Sequence, residues 1–205
     1  MPVLKEAAEV EDRLSYFGVT VEELRDVVRV AVSARHEALP IHPLGAAGQL
    51  AYIHGTGALR TLFMSKGWEK RSTDNIEAVF HPDLGVKIIY QNADRAGDPI
   101  FAPLSASPKG PGSAKVVENG QGELFEAVEE AEQVEVSAAV YYLFVEGHGG
   151  NVRAELSRPI AIEAEQFHGF HERVMIVQSG EWQGIDLTPD EKPLPDIEIE
   201  ISRKV

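Results

Sequence analysis

Two histidines three positions apart have a spacing that could bind a metal ion. His168 and His171 are flanked by Glu165 and Glu172, and either glutamate could add a carboxylate ligand. Imidazole and carboxylate groups together bind divalent transition metals. Gly169 and the position between two predicted strands indicate a turn, however, and a turn does not hold two imidazoles on one face as a helix does.

The alternative for the same segment is a structural one. Phe167 and Phe170 would pack at the edge of the core, and the histidines would lie outside it. Because a pair of histidines in a turn is a weak motif, the sequence predicts no cofactor and leaves His168 and His171 as candidate metal ligands.

A stretch of glycines, serines and lysines at residues 107–115 could bind an anion. Backbone N–H groups of such loops can surround a phosphate, and Lys109 and Lys115 would add positive charge. The stretch lacks the spacing of a phosphate-binding P-loop, so a solvated loop is the alternative. Lys87 and Arg95 lie just before it. We expect any anionic ligand or partner to contact these four basic side chains.

The tripeptide His54-Gly55-Thr56 is the candidate with an enzymatic interpretation. A predicted helix and then Gly67-Trp68 follow it. This arrangement resembles the NAD-contacting element of ADP-ribosyltransferases, in which a strand ends in His-Gly-Thr and a helix and a glycine follow. The resemblance implies that His54 and Thr56 hydrogen-bond the nicotinamide ribose, while a later glutamate stabilises an oxocarbenium-like transition state. The alternative is a helix in which small residues allow close packing.

The apolar spacing of the first third of the chain predicts helices. Residues 6–17 and 21–37 follow the three-to-four period of an amphipathic helix. Thr20 followed by Glu23 predicts a capping box at the start of the second helix. These two helices are the most strongly indicated elements of the N-terminal part.

Residues 48–66 are compatible with two structures. Their apolar residues follow an approximately helical pattern, but Gly55 and Gly57 interrupt it. One continuous helix is possible, and so is a turn that opens a shorter helix near Ala58. Gly67 is predicted to end this helix, with Trp68 folding back on it.

From residue 75 onward the period changes to that of strands. The predicted strands cover residues 76–80, 86–90, 140–145, 152–156, 160–164, 174–177 and 197–201. Residues 92–122 are rich in Gly, Pro and Ser and are predicted to form a long loop with a short strand near 99–104. Residues 123–133 are predicted to form an acidic helix.

The element order predicts one α+β domain over residues 1–205. A helical part over about residues 1–67 precedes a mostly antiparallel β-sheet over about residues 75–205, with the long Gly/Pro-rich loop as its largest excursion. The aromatic residues in apolar segments are predicted to belong to the core: Trp68, Tyr90, Tyr141, Tyr142 and Phe144.

The composition is acidic and free of cysteine. The 205 residues carry a net charge of −14, and the absence of cysteine excludes disulfides, thiolate metal sites and cysteine nucleophiles. The charge is unevenly distributed. Residues 60–115 carry 8 Lys/Arg against 6 Asp/Glu, whereas residues 116–205 carry 6 against 19. The C-terminal half therefore disfavours nucleic acid and anionic membranes as partners.

The location of the protein is predicted from what the sequence lacks. No basic flank followed by an apolar run begins the chain, so no signal peptide is predicted. No segment approaches the roughly 18 apolar residues of a membrane span. We therefore expect a cytoplasmic protein that does not engage a membrane.

These observations favour a non-enzymatic protein of a bacterium or a mobile element that acts by macromolecular interaction. Its partner would be another protein or a second copy of the chain, with an anionic ligand possible around residues 87–115. One alternative is an NAD-consuming or ADP-ribosyl-transferring enzyme that uses His54 and Thr56. Another is a metal-dependent protein that uses His168 and His171.

Overall fold

The computed structural model describes residues 1–73, 75–107, 110–119, 137–148 and 151–182. Within these residues the helices are α1 (Ala7–Ser15), α2 (Val21–His36), α3 (Ala46–Ser65) and α4 (Pro111–Asn119). The strands are β1 (Val3–Leu4), β2 (Glu69–Thr73), β3 (Ile76–His81), β4 (Val86–Asp94), β5 (Leu104–Ser105), β6 (Ala139–His148), β7 (Asn151–Glu163) and β8 (Gln166–Val177). The α+β class predicted from the sequence is confirmed.

The start of α2 and the end of α3 follow the local signals in the sequence. The backbone N–H of Glu23 donates to Thr20 Oγ1 at 3.2 Å, and the N–H of Thr20 donates to Glu23 Oε2 at 2.9 Å. The predicted capping box is therefore confirmed. After α3, Gly67 adopts a φ of 88°, and the centres of the Trp68 and Phe63 rings lie 4.7 Å apart. Trp68 thus folds back on the helix as expected.

Helix α3 is continuous from Ala46 to Ser65, so the alternative with a turn near Ala58 does not occur. Gly55 is buried in the middle of this helix because it packs against Tyr90 of β4. An ideal Cβ at this position would lie 2.4 Å from the Tyr90 ring. The glycine therefore serves a close helix–strand contact and does not interrupt the helix.

The strands form one mixed sheet in the order β1-β8-β7-β6-β4-β3-β2, with β5 paired to β4. Among the described strands, five of the seven pairings are antiparallel, and the β1–β8 and β4–β6 pairings are parallel. A parallel pair requires the chain to cross over before it returns. Between β4 and β6 this crossover includes β5 and α4.

The two faces of the sheet are covered differently. Helices α1, α2 and α3 cover one face and form a large apolar core with the strands. On the opposite face a smaller core gathers residues of β4, β6, β8 and α4, among them Tyr142, Phe144 and Phe167. The aromatic residues predicted to belong to the core are all buried.

Several predicted boundaries need correction. The two strands predicted at residues 152–156 and 160–164 are one strand, β7, whose register shifts between Arg158 and Pro159. Proline interrupts the ladder at that point because it has no N–H to donate. The predicted loop at residues 92–122 contains the end of β4, all of β5 and α4.

Two further predictions cannot be compared with the structure. The helix predicted at residues 123–133 and the strand predicted at 197–201 lie outside the described residues. In the part of the chain that is described, no helix has both the length and the apolar character to cross a membrane.

Candidate functional site

A cleft of about 840 Å³ lies where α3 passes over the middle of the sheet. It is lined by residues from three helices (α2, α3 and α4), from three strands (β3, β4 and β6) and from the segments between them. The lining residues are Arg35, Gly45, Gly48, Gln49, Tyr52, Ile53, Asn75, Ile76, Glu77, Ile89, Tyr90, Gln91, Asn92, Asp94, Ala106, Ser107, Ser113 and Tyr142. Small-molecule sites in proteins commonly have volumes of about 300–1,000 Å³.

The cleft coincides with an interruption in the sheet. The ladder between β3 and β4 ends at the pair Ala78–Ile89, and the ladder between β4 and β5 begins at Ala93–Ser105. Among the described pairings, residues 90–92 therefore pair with β6 alone. Consecutive strand residues point to opposite faces, so side chains from both faces of the sheet reach the cleft at this gap.

On the helical side, a short chain of hydrogen bonds joins β4 to α3. The hydroxyl group of Tyr90 donates to Asn92 Oδ1 at 3.1 Å, and Asn92 Nδ2 donates to the carbonyl oxygen of Gly48 at 2.8 Å. The Tyr52 ring lies 6.4 Å from the Tyr90 ring. Together with Gly55 against Tyr90, these contacts set the distance between the helix and the strand and so shape one wall of the cleft.

On the opposite side of the gap, Tyr142 of β6 lines the cleft while being only 1% exposed. Its ring stacks on Phe144 and meets the edge of Phe167. Its hydroxyl group is buried and has no hydrogen-bond partner in the described part of the chain. Burial raises the pKa of this hydroxyl, which therefore remains protonated at neutral pH.

Arg35, in the last turn of α2, is a charged residue that also lines the cleft. It is half-buried, and within the described ranges its guanidinium has neither an ion pair nor a hydrogen bond. Burial raises the pKa of Tyr90, and the positive charge of Arg35 acts on it in the opposite direction. Arg35 is therefore close enough to the cleft wall to influence it electrostatically.

The glutamate that lines the cleft is, in contrast, already paired. Glu77 accepts hydrogen bonds from Arg60 and, at 2.6 Å, from the hydroxyl group of Ser72. The hydrogen bond from Ser72 and the interaction with Arg60 lower the pKa of Glu77, although burial acts to raise it. The negative charge of Glu77 is thus held by Arg60, while the charge of Arg35 is not balanced in the same way.

A second polar cluster lies on the sheet face opposite α1–α3, away from the cleft. Glu155 and Arg173 are fully buried and form a bidentate ion pair. Arg173 Nε donates to Glu155 Oε1 at 2.9 Å, and a terminal guanidinium nitrogen of Arg173 donates to Glu155 Oε2. Glu155 also accepts hydrogen bonds from Ser157 Oγ at 2.7 Å and from the N–H of Gly97 at 2.8 Å. Each carboxylate oxygen of Glu155 therefore has two donors.

The same cluster holds the turn that follows β4. Arg173 donates to the carbonyl oxygen of Asp98 at 2.8 Å, and Arg153 bridges Asp98 Oδ2 at 3.3 Å and Glu146 Oε2 at 2.6 Å. We call this set the Glu155 network; it comprises Gly97, Asp98, Glu146, Arg153, Glu155, Ser157 and Arg173. Each of these hydrogen bonds joins two groups of the protein, so the network fixes the backbone of the turn.

The two residues of the enzymatic hypothesis, His54 and Thr56, lie in different environments on α3. His54 lies on the exposed surface of α3, whereas Thr56 is buried beside Gly55. Neither residue lines the cleft. In the family that the tripeptide resembles, His-Gly-Thr ends a strand, and here it lies in the interior of α3.

His168 and His171 both lie on β8 and are exposed, while Phe167 and Phe170 are buried, as the structural alternative predicted. Burial and the nearby charge of Arg158 lower the pKa of His171, against the opposing effect of Glu172. The described residues contain no group of three or more His, Asp or Glu side chains arranged to hold a metal.

Three of the four basic residues of the anion-binding hypothesis are described by the structure, and none of these three lines the cleft. Lys87 Nζ lies 5.9 Å from the centre of the Phe80 ring, and the Arg95 guanidinium lies 5.6 Å from that of Phe101. Lys115 is exposed on α4. Lys109 lies outside the described residues.

The residues that line the cleft were missed because no motif marks them. Tyr90 and Tyr142 occupy ordinary core positions of alternating strands, and Arg35 resembles any charged residue near the end of a helix. The one usable signal was Gly55, whose lack of a side chain predicted close packing without naming the partner. Comparison of the chain with protein-family models, with curated proteins and with solved structures found no match.

Proposed function

We propose that this protein binds a small organic molecule in the cleft between α3 and the interrupted edge of β4. The observation that carries the proposal is Tyr142, a residue that lines the cleft and whose buried hydroxyl group has no partner in the described structure. Leaving such a group unsatisfied costs roughly 1–3 kcal/mol. A ligand that hydrogen-bonds to Tyr142 would recover this free energy on binding.

The side chains that line the cleft are suited to a ligand that becomes partly buried on binding. Apolar side chains from both sides of the gap, including Ile76 and Ile89, alternate with the polar groups of Tyr52 and Tyr142. Sites for small molecules are usually apolar pockets with a few convergent polar groups that fix the orientation of the ligand. The proposal is therefore one of recognition, and it assigns no reaction to the cleft.

Two glycines of α3 offer a matched test. An ideal Cβ at Gly48 or at Gly57 would meet no atom within 4 Å, but only Gly48 lines the cleft. Gly48→Leu should occupy cleft space, whereas Gly57→Leu should extend toward solvent. Either leucine should favour the helix, because glycine costs about 1 kcal/mol in a helix interior.

The experiment is a screen of small aromatic and aliphatic fragments against the isotope-labelled full chain, followed by NMR chemical shifts. We expect fragments that shift the resonances of Gln91, Ser113 and Tyr142, with binding lost in Gly48→Leu and retained in Gly57→Leu. The proposal is overturned if no fragment shifts these resonances, or if Gly48→Leu binds as the unmodified protein does.

A separate observation favours macromolecular interaction as a second candidate function. Ile100 is 81% exposed and Phe101 56% exposed, next to Asp98 in the turn that the Glu155 network holds. The N–H groups of both residues donate to Asp98 Oδ1, at 2.8 and 3.0 Å. An exposed apolar pair on a preorganised turn loses little conformational entropy on docking. This turn lies within the region 87–115 where a partner was expected.

This second candidate is tested by replacing Phe101 with a photo-crosslinking amino acid in the full chain and by light scattering over a wide concentration range. The control position is Ile41, which is also apolar and exposed but lies in another part of the molecule. We expect crosslinks from position 101 that are absent from position 41. A chain that stays monomeric and gives the same crosslinks from both positions contradicts the candidate.

A further inference from the structure

The charge of the cleft restricts the ligands that it can accept. Arg35 contributes a guanidinium that no acidic group in the described residues neutralises, and Glu77 is already held by Arg60 and Ser72. Asp94 has an interaction of its own. A planar guanidinium binds a carboxylate through two parallel hydrogen bonds. An anionic group on the ligand is therefore the natural partner of Arg35.

The shape and chemistry of the walls restrict the rest of the ligand. The rings of Tyr52 and Tyr90 lie on the α3 side, and Ile76 and Ile89 contribute aliphatic surface from β3 and β4. Aromatic rings prefer edge-to-face or offset contacts with other rings. The rings of Tyr52 and Tyr90 therefore favour a planar group on the ligand. The two tyrosine rings and the two isoleucine side chains together favour a small aromatic ring.

Tyr142 supplies the third contact. Tyr142 lies on β6 and lines the cleft from the face of the sheet opposite α3, and its hydroxyl is buried without a partner in the described residues. A protonated phenol donates one hydrogen bond, so it requires an acceptor oxygen on the ligand. Arg35 lies on the helical side, and the two groups thus act on different parts of a bound molecule.

We propose that the cleft selects an aromatic carboxylate that carries an oxygen at the far end of its ring, with the carboxylate on Arg35 and that oxygen on Tyr142. This inference rests on the proposed function, since it requires the cleft to be the binding site. It names the ligand by its chemistry: a negative charge, a flat apolar body and a hydrogen-bond acceptor.

The test compares three probes in titrations of the labelled full chain: 4-hydroxycinnamate, its uncharged methyl ester, and cinnamate without the ring oxygen. Because hydrogen bonds to charged groups contribute about 1.5–3 kcal/mol, we expect 4-hydroxycinnamate to bind at least about tenfold more tightly than the ester. Arg35→Gln should abolish that preference. Arg29→Gln, which removes the same charge two turns earlier on α2, should preserve it because Arg29 does not line the cleft.

The contact with Tyr142 is tested with the third probe. A neutral hydrogen bond contributes about 1 kcal/mol, so 4-hydroxycinnamate should bind about fivefold more tightly than cinnamate, and Tyr142→Phe should remove this difference. Equal binding of acid and ester overturns the inference, as does an unchanged preference in Arg35→Gln. If Gly48→Leu still abolishes binding in that case, the proposed function stands while the ligand class fails. If Gly48→Leu has no effect, both fail.

Discussion

The Glu155 network and the cleft place polar groups inside the same sheet in opposite ways. In the network, Glu155 has four donors and Arg173 has acceptors on two residues. At the cleft, the hydroxyl of Tyr142 and the guanidinium of Arg35 lack such partners in the described structure. Buried polar groups in folded proteins are nearly always hydrogen-bonded. The network therefore satisfies its polar groups within the fold, whereas the cleft retains the two groups that the proposed ligand would contact.

The largest expected effect comes from removing one partner of the buried ion pair. Arg173→Met leaves the carboxylate of Glu155 buried without a counter-charge and should lower the free energy of unfolding by about 3–5 kcal/mol. Urea denaturation followed by circular dichroism measures the change. Adding Glu155→Gln removes the uncompensated charge and should restore part of the loss. A single variant that loses less than about 1 kcal/mol would show that the network is not structural.

The second effect concerns the glycine that brings its N–H to Glu155. Gly97 has a φ of 63°, and a Cβ there would lie 2.5 Å from the carbonyl oxygen of Val177. Gly97→Ala should cost about 2–4 kcal/mol, from left-handed backbone strain together with overpacking. Gly85→Ala is the control, because Gly85 has a φ of 57° but open space around its Cβ. If both variants lose the same free energy of unfolding, the contact with Val177 does not contribute to the cost of Gly97→Ala.

A third effect is expected from a paired carboxylate on the helical face. Glu172 accepts from Arg13 Nε at 2.8 Å and from the hydroxyl of Tyr141 at 2.5 Å. Burial acts to raise the pKa of Glu172, but the hydrogen bonds from Arg13 and Tyr141 lower it overall. A lowered pKa means that this stabilisation is complete above the pKa of the unfolded chain and is lost as the pH falls through that of the folded protein.

Glu172→Gln should therefore lower the free energy of unfolding by about 1–2 kcal/mol at pH 7, and by progressively less below about pH 4.5. Urea titrations of both proteins at several pH values measure this convergence. A difference that stays constant down to acidic pH would mean that the charge of Glu172 contributes nothing.

The smallest expected effect distinguishes the cleft from the network most directly. Tyr142→Phe removes a hydroxyl that has no partner in the described residues, so the ligand-free protein should keep its stability or gain up to about 1 kcal/mol. Tyr90→Phe is the matched control and should lose about 0.5–1.5 kcal/mol, because its hydroxyl binds Asn92. Thermal unfolding compares the two. A larger loss in Tyr142→Phe would show that its hydroxyl stabilises the fold.

The sequence predicted elements well where the signal is local. The capping box of Thr20 and Glu23 and the end of α3 at Gly67 depend on neighbouring residues, and both appear in the structure. The union of two predicted strands into β7 was missed because Pro159 ordinarily ends a strand, and here a register shift accommodates it. Helix α4 was missed because its sequence is rich in residues typical of loops.

Neither polar region could have been predicted, because both depend on contacts between distant parts of the chain. Glu155 lies between Ala154 and Leu156 and resembles a solvent-facing position of a strand, whereas Arg173 comes directly before the predicted strand at residues 174–177. The turn at Gly97 and Asp98 hydrogen-bonds to both side chains and contributes to their burial. The gap beside residues 90–92 likewise follows from where two ladders stop, which strand periodicity does not determine.

The pairing of β1 with β8 has a consequence for the order in which the molecule is assembled. Val3 pairs with Arg173, and the N–H of Arg173 donates to the carbonyl oxygen of Pro2 at 3.1 Å. One edge of the sheet therefore forms only after β8, the last strand of the described chain, has been synthesised. Until β8 has been synthesised, α1 and α2 lack one of the strands on which they pack. Contacts so distant in sequence slow folding, and during that delay the nascent strands expose unpaired edges to other chains.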